Sequence, residues 1–217
     1  LTTAQAAIAR LDGAVSAIPN PLLLVRPLIR QEAVSTSALE GTQTDFDELL
    51  GAEANDDAKT ADAQEVLNYV HAVEHCLAQI NDPRGLPVSR RMLDDAHGLL
   101  LRGVRGDGYG VGQLRSSQVW IGRRNGRIAD ADFVPPPPGD PLNAALDDWE
   151  RWVHDDQIPL LVRVALGHYQ FETIHPYTDG NGRLGRLVAI LQLIEEGLLA
   201  HHSMTISGWF ERDKRTY

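Results

Sequence analysis

Apolar residues recur along most of the chain at intervals of three and four, the spacing that lines one face of an α-helix. Ile8, Leu11, Val15 and Ile18 form the first stripe, and Pro19-Asn20-Pro21 stops it. The pattern resumes from Leu22 to about Leu39, where Gly41 is placed to close a second helix. Thr44, with Asp47 three residues on, predicts the cap of a short third helix through Leu49 and Leu50, and the polar run Gly51–Asp62 reads as a connector. Val66, Val70, Val73, Leu77 and Ile80 make a clean stripe that ends at Asn81-Asp82-Pro83. Ser89 is placed to cap a helix with Met92, Leu93, Ala96 and Leu99 inward. Leu142, Leu146, Trp149 and Val153 repeat the period, as do Leu161, Val164, Ala165 and His168. A last long helix, beginning near Gly182, carries Leu184, Leu187, Val188, Leu191 and Ile194.

One region departs from this period. Glycine recurs five times between Arg102 and Gly112, which predicts a loop. Val119-Trp120-Ile121, a turn at Asn125-Gly126, and Ile128 onward to Phe133-Val134 read as a β-hairpin, with Trp120 packed beneath it. Pro135–Pro138 leaves it as a stiff spacer. The expected fold class is all-α: a helical bundle with one β-hairpin on its surface.

Composition narrows the function. The 217 residues fit one domain, or one with a small extension, and 43% apolar residues suit a packed core. Twenty basic against thirty acidic residues leave a net charge of −10, so the chain exerts no general pull on nucleic acid or anionic membrane. Any phosphate it handles must meet a local basic site. No apolar run approaches the roughly 18 residues of a membrane span, since Leu187–Ile194 is interrupted by Gln192. The single Cys76 excludes an intrachain disulfide and reads as core packing. A soluble, cytoplasmic protein is expected. Leu1 in place of Met, and a charged, helix-like stretch closing at Tyr217, read as a piece of something longer.

The segment His175–Arg186, HPYTDGNGRLGR, lies between two helical stripes. Pro176 ends the preceding helix and Asn181-Gly182 opens the next. Gly180 and Gly182 remove side chains, so backbone N–H groups can close on an anion where the helix dipole already favours negative charge. Asn181 adds an amide donor, and Arg183 and Arg186 sit three apart on the opening turns, within reach of phosphates over the helix end. Asp179 among these cations suits a divalent ion joining it to the same phosphates. His175 is the one side chain here able to take a proton near neutral pH. The plain alternative is a tight turn with incidental surface arginines, and seven suitable residues in one loop weigh against it. The segment is neither a Walker loop nor a GxGxxG fingerprint.

This loop resembles the signature of the Fic family, HPFx(D/E)GNGRxxR, at every position except Tyr177, where Phe is usual. The resemblance implies a helical core with a β-hairpin flap and transfer of AMP from ATP to a hydroxyl of a target protein. It implies that His175 is the general base, that Asp179 holds Mg2+ on the α- and β-phosphates, and that Asn181 with the backbone of Gly180 and Gly182 holds the phosphates. Arg183 would bind near the β-phosphate and Arg186 the γ-phosphate. Tyr177 should still plug the core, although its hydroxyl needs a partner. Related Doc kinases carry Lys where Gly182 stands, so the glycine favours nucleotidyl transfer.

Upstream, Thr36-Ser37-Ala38-Leu39-Glu40-Gly41 resembles the family's inhibitory pattern (S/T)xxxE(G/N). The implied role is a lock, with Glu40 pairing with Arg186 where the γ-phosphate should bind; an ordinary helix end is the plain alternative. Residues Arg115–Gly122, with Val119, Trp120, Ile121 and Gly122 as the target-binding strand, resemble the family's flap region. A target segment could add there as an extra strand. Residues 1–60 are thus expected to be an N-terminal region with the inhibitory helix, and 61–217 the core. His71-Ala72-Val73-Glu74-His75 matches an inverted zinc-protease pattern but lacks a third ligand, so a solvated helix face is expected, and His201 and His202 are expected at the surface. The leading reading is a self-inhibited adenylyltransferase whose partners are ATP and a target protein, itself included. The alternatives are removal of AMP, with Glu40 aligning a water, and an ATP-sensing module that meets nucleic acid only through a further C-terminal domain.

Overall fold

The computed structural model describes residues 1–55, 60–121 and 127–212. The chain is all-α. Among the described residues the helices are α1 (Thr2–Ser16), α2 (Leu22–Leu39), α3 (Phe46–Ala54), α4 (Ala61–Asn81), α5 (Arg90–Leu100), α6 (Asp140–Val153), α7 (Leu160–Ile174), α8 (Asn181–Glu195) and α9 (Ser207–Arg212). Helix α8 is the axis of the fold, and α2, α4, α5 and α7 all pack against it. Leu184, Leu187, Val188 and Leu191 join Val66, Val70 and Val73 of α4 and Met92 and Leu93 of α5 in the main core. On its other side Ile190, Leu193 and Ile194 meet Leu160, Leu161 and Val164 of α7. From Leu187 to Ile194 this helix is buried on every side, with Gln192 its one polar residue there.

Local chemistry sets the ends of these helices. Thr60 Oγ1 accepts from Ala63 N–H at the start of α4, and Ser89 Oγ accepts from Met92 N–H at the start of α5. Gly41, at φ 93°, turns the chain after α2. At α3 the cap lies one residue later than the Thr44/Asp47 pair expected. Asp45 accepts from Glu48 N–H at 2.8 Å while Glu48 reaches back to Asp45 N–H, a reciprocal capping box.

The hairpin differs from expectation. Ile121 and Phe133 form a single antiparallel bridge, and Ile128–Asp130 is a 3-10 turn, so the described part of the flap carries no extended ladder. Gly122 and the Asn125-Gly126 turn lie outside the described residues. Trp120 is 41% exposed and does not pack beneath the flap. His202 is fully buried, not at the surface, and burial pushes its imidazole down to about 4. His71 and Glu74 face solvent on α4. Among the described residues no helix is long and apolar enough to cross a membrane.

Candidate active site

Helix α7 ends at His175, whose backbone adopts φ 50°, ψ 62°. Among the described residues it is the one non-glycine with positive φ, a conformation that costs about 1–2 kcal/mol outside glycine. Two contacts hold it there. Its N–H donates to Phe171 O at 2.9 Å, and its carbonyl accepts from Arg115 Nε at 2.8 Å. Burial lowers the basicity of the ring, with the backbone of Glu172 pulling the other way. The imidazole is therefore mostly neutral, and able to accept a proton, at neutral pH.

The next residues form a tightly bonded turn. Asn181 Oδ1 accepts from Tyr177 N–H at 2.9 Å while its Nδ2 donates to Tyr177 O at 2.8 Å. Both ends of that amide are thus spent on the turn itself. Gly180 takes φ 79° at the N-cap of α8, and its N–H donates to Asp179 Oδ1 at 2.6 Å. Tyr177 is buried, stacks on His97 with ring centres 4.1 Å apart, and donates its hydroxyl to Asp94 Oδ1 at 2.8 Å. Asp94 is the partner that a tyrosine at this position requires. Because Gly112 N–H donates to Nδ1 of His97, Nε2 carries the proton and donates to Asp179 O at 3.2 Å. Burial drives His97 down to about 4, so this bridge is neutral.

The two arginines of the motif part company. Arg183 is fully buried, and its Nη1 donates to Glu65 Oε1 on α4 at 2.6 Å. Its Nη2 stands 3.6 Å from Asp179 Oδ1. Asn181 thus closes the turn with its amide, while Arg183 keeps Nε and Nη2 without a hydrogen-bond partner among the described residues. Arg186 instead points toward α2. Its Nε donates to Thr36 Oγ1 at 2.8 Å, and its Nη2 to Thr36 O at 3.2 Å and Glu40 Oε1 at 2.6 Å. The Glu40 carboxylate also lies over the first turn of α8. A Cβ added at Gly182 would come within 2.2 Å of its Oε1. An anion supplied by the chain itself thus occupies the helix N-terminus.

His175, Gly182, Arg186 and Glu40 line one cavity of about 560 Å3, with Ile121 and Phe133 of the flap on its rim. Glu172 lines it as well, one turn before His175. Burial is the main cause that raises its carboxyl to about 7, with Arg186 opposing and Glu40 reinforcing the shift.

Four residues here escaped the sequence reading. Arg115 opens the flap segment but had no role assigned. Glu172 is the one acidic residue of α7, a signal that was available. Asp94 and His97 are marked only by standing on the inward side of α5, and nothing local predicts that they reach Tyr177.

Residues 1–78 match the pattern described as Fic/DOC family N-terminal, and residues 87–193 match the one described as Fic/DOC family. The chain belongs to the Fic/DOC family. It is 37% identical over 89 residues to the Protein adenylyltransferase Fic of Drosophila erecta, which is 40% of this chain and 16% of that protein. It is 32% identical over 127 residues to the Protein adenylyltransferase fic-1 of Caenorhabditis elegans, 57% of this chain and 21% of that one. The matched stretches therefore span no more than about a fifth of these relatives. The fold is shared with a Fic family protein from Desulfovibrio desulfuricans G20, at TM-score 0.71 and 24% identity, covering 100% of this chain and 65% of that one. A Fic domain containing signaling protein from Bacteroides thetaiotaomicron VPI-5482 gives TM-score 0.74 at 16% identity, with 98% and 79% coverage.

Proposed function

We propose that the chain is a self-inhibited protein adenylyltransferase that moves AMP from ATP to a Ser, Thr or Tyr hydroxyl of a target protein. The observation that carries this reading is the meeting, in one cavity, of a neutral imidazole with the anion-binding start of α8. His175 takes the proton of the target hydroxyl, whose oxygen attacks the α-phosphorus as the bond to pyrophosphate breaks. The backbone at Gly180 and Gly182 receives phosphate oxygens, and Arg186 the γ-phosphate. Arg183 binds near the β-phosphate, a role supported by its Nε and Nη2, which have no hydrogen-bond partner among the described residues. Asp179 offers a single carboxylate, 32% exposed, and the described residues hold no cluster of three metal-binding side chains. Such a donor fits Mg2+ held jointly with a polyphosphate, because Mg2+ takes one or two carboxylates and fills its shell with phosphates and water. Bound there, it would neutralise charge on the departing pyrophosphate.

Glu40 is the brake. Its bond to Arg186 and its seat over Gly182 occupy the place a γ-phosphate would take, so residues 1–60 regulate the core formed by 61–217. The test uses Glu40→Gly with ATP labelled at either the α- or the γ-phosphate. Protein labelled from the α-position alone, and not in Glu40→Gly/His175→Ala, is expected. Transfer of the γ-label would overturn the reading. A second reading, hydrolytic removal of AMP, is favoured by Glu40 and His175 sharing the cavity, since the carboxylate could align a water there. An AMPylated target incubated with the parent protein and with Glu40→Gly separates the two.

A further inference from the structure

The base lies between two parts of the chain that meet in one side chain. Arg115 is 2% exposed, and every bond recorded for its guanidinium goes to a backbone carbonyl. Nε donates to His175 O at 2.8 Å, and Nη2 to Ile174 O at 3.3 Å and Pro136 O at 2.5 Å. Nη1 donates to Ser117 O at 3.3 Å, and the Arg115 N–H itself donates to Pro176 O at 3.0 Å. Ser117 and Pro136 are the two roots of the flap. Gln118 adds a second tie between them, donating from Nε2 to Pro135 O at 2.9 Å. The rigid guanidinium fork thus joins both roots to the carbonyls at the end of α7, where the backbone is held at positive φ.

We propose that Arg115 is a positioning residue: it fastens the segment that presents a target to the backbone of the imidazole that receives the target's proton, so that the two move as one unit. The proposal rests on His175 being the base. A strained backbone persists only when its surroundings over-determine it, and here the carbonyls of Ile174 and His175 are both captured by one side chain. The same cation lies close enough to influence the ring. Arg115 disfavours the protonated imidazole, whereas Glu40 on the α2 side and Asp179 in the turn favour it.

The charge and the fork separate by substitution. In full-length Glu40→Gly protein, Arg115→Gln removes both, while Arg115→Lys keeps the charge and loses the fork. With α-labelled ATP, both variants are expected to lower kcat by about 10- to 100-fold, the scale of a misplaced catalytic group, with the Kd for ATP within about twofold of the parent. Titration of His175, followed by NMR of the labelled imidazole, should move upward in Arg115→Gln and stay in place in Arg115→Lys. A Kd for ATP that weakens as much as kcat falls would reduce Arg115 to a general staple, and a full rate in Arg115→Lys would remove the fork. Should Arg115→Gln fail to fold, Arg115→Lys decides by its kcat and Kd alone. A Glu40→Gly parent that binds ATP yet transfers nothing sinks the transferase reading; the His175 titration then still tests whether Arg115 governs that ring.

Discussion

Between His175 and Arg186 several polar side chains are bound into the protein: Asn181 to Tyr177, Tyr177 to Asp94, Arg183 to Glu65, and Arg186 to Thr36 and Glu40. Across the cavity the described part of the flap has one backbone bridge, and Trp120, Ile121, Phe133 and Val134 each leave 40–48% of their surface in water. The contrast matches what the proposed transfer would ask of each region. A group that must meet a phosphate within tenths of an ångström needs a site fixed beforehand, whereas a surface that accepts an extended segment needs unpaired backbone and apolar area. On the proposed reading the turn carries the chemistry, and the flap leaves backbone groups for a target to pair with.

The strongest challenge to this contrast removes the imidazole. In the Glu40→Gly background, His175→Ala is expected to lower label transfer by about a thousandfold while calorimetry gives an ATP affinity within about twofold. Retained transfer would move the base elsewhere. A second challenge is acid. His97 titrates near 4 when folded and near its ordinary value when unfolded, so the unfolded chain takes up the proton first. Stability held above about pH 6.5 should be lost as pH falls toward 4, by up to about 3 kcal/mol from this residue, as read by urea unfolding across that range.

A smaller effect sharpens the turn itself. Glu40→Gly deprives the buried Arg186 of a charged hydrogen bond, so the variant without nucleotide should be less stable by about 1–3 kcal/mol. Saturating ATP should stabilise it more than it stabilises the parent, in thermal melts with and without nucleotide. The flap offers the mildest test. Ile121→Asp should lower transfer to a protein target about tenfold, equivalent to roughly 1.4 kcal/mol of target binding, and leave ATP affinity unchanged. Equal loss of both would erase the distinction between the two regions.

The helices were legible because their apolar period is long and their stops are chemically explicit: α2 ends at Gly41 and α5 starts at Ser89, as the pattern predicts. The turn from His175 to Arg186 was legible because its residues are contiguous. What escaped depends on contacts between distant segments. Arg183 finds Glu65 across 118 positions, and Tyr177 finds Asp94 across 83, so neither partner leaves a trace near the motif. At the flap, apolar runs on either side of Asn125-Gly126 read as a hairpin, but the Ile128–Asp130 turn takes up part of the second strand. Among the described residues what remains of the hairpin is an apolar rim joined by the Ile121–Phe133 bridge.

Gly182 has a consequence for how such a chain can change by mutation. Any larger residue there would strike the Glu40 carboxylate and crowd Arg186, whose Nη1 lies 3.0 Å from where a methyl would sit. On the proposed reading, one substitution would therefore evict the brake and fill the seat of the phosphate together. Descendants that became unrestrained while keeping their chemistry would have had to alter α2 and spare this glycine.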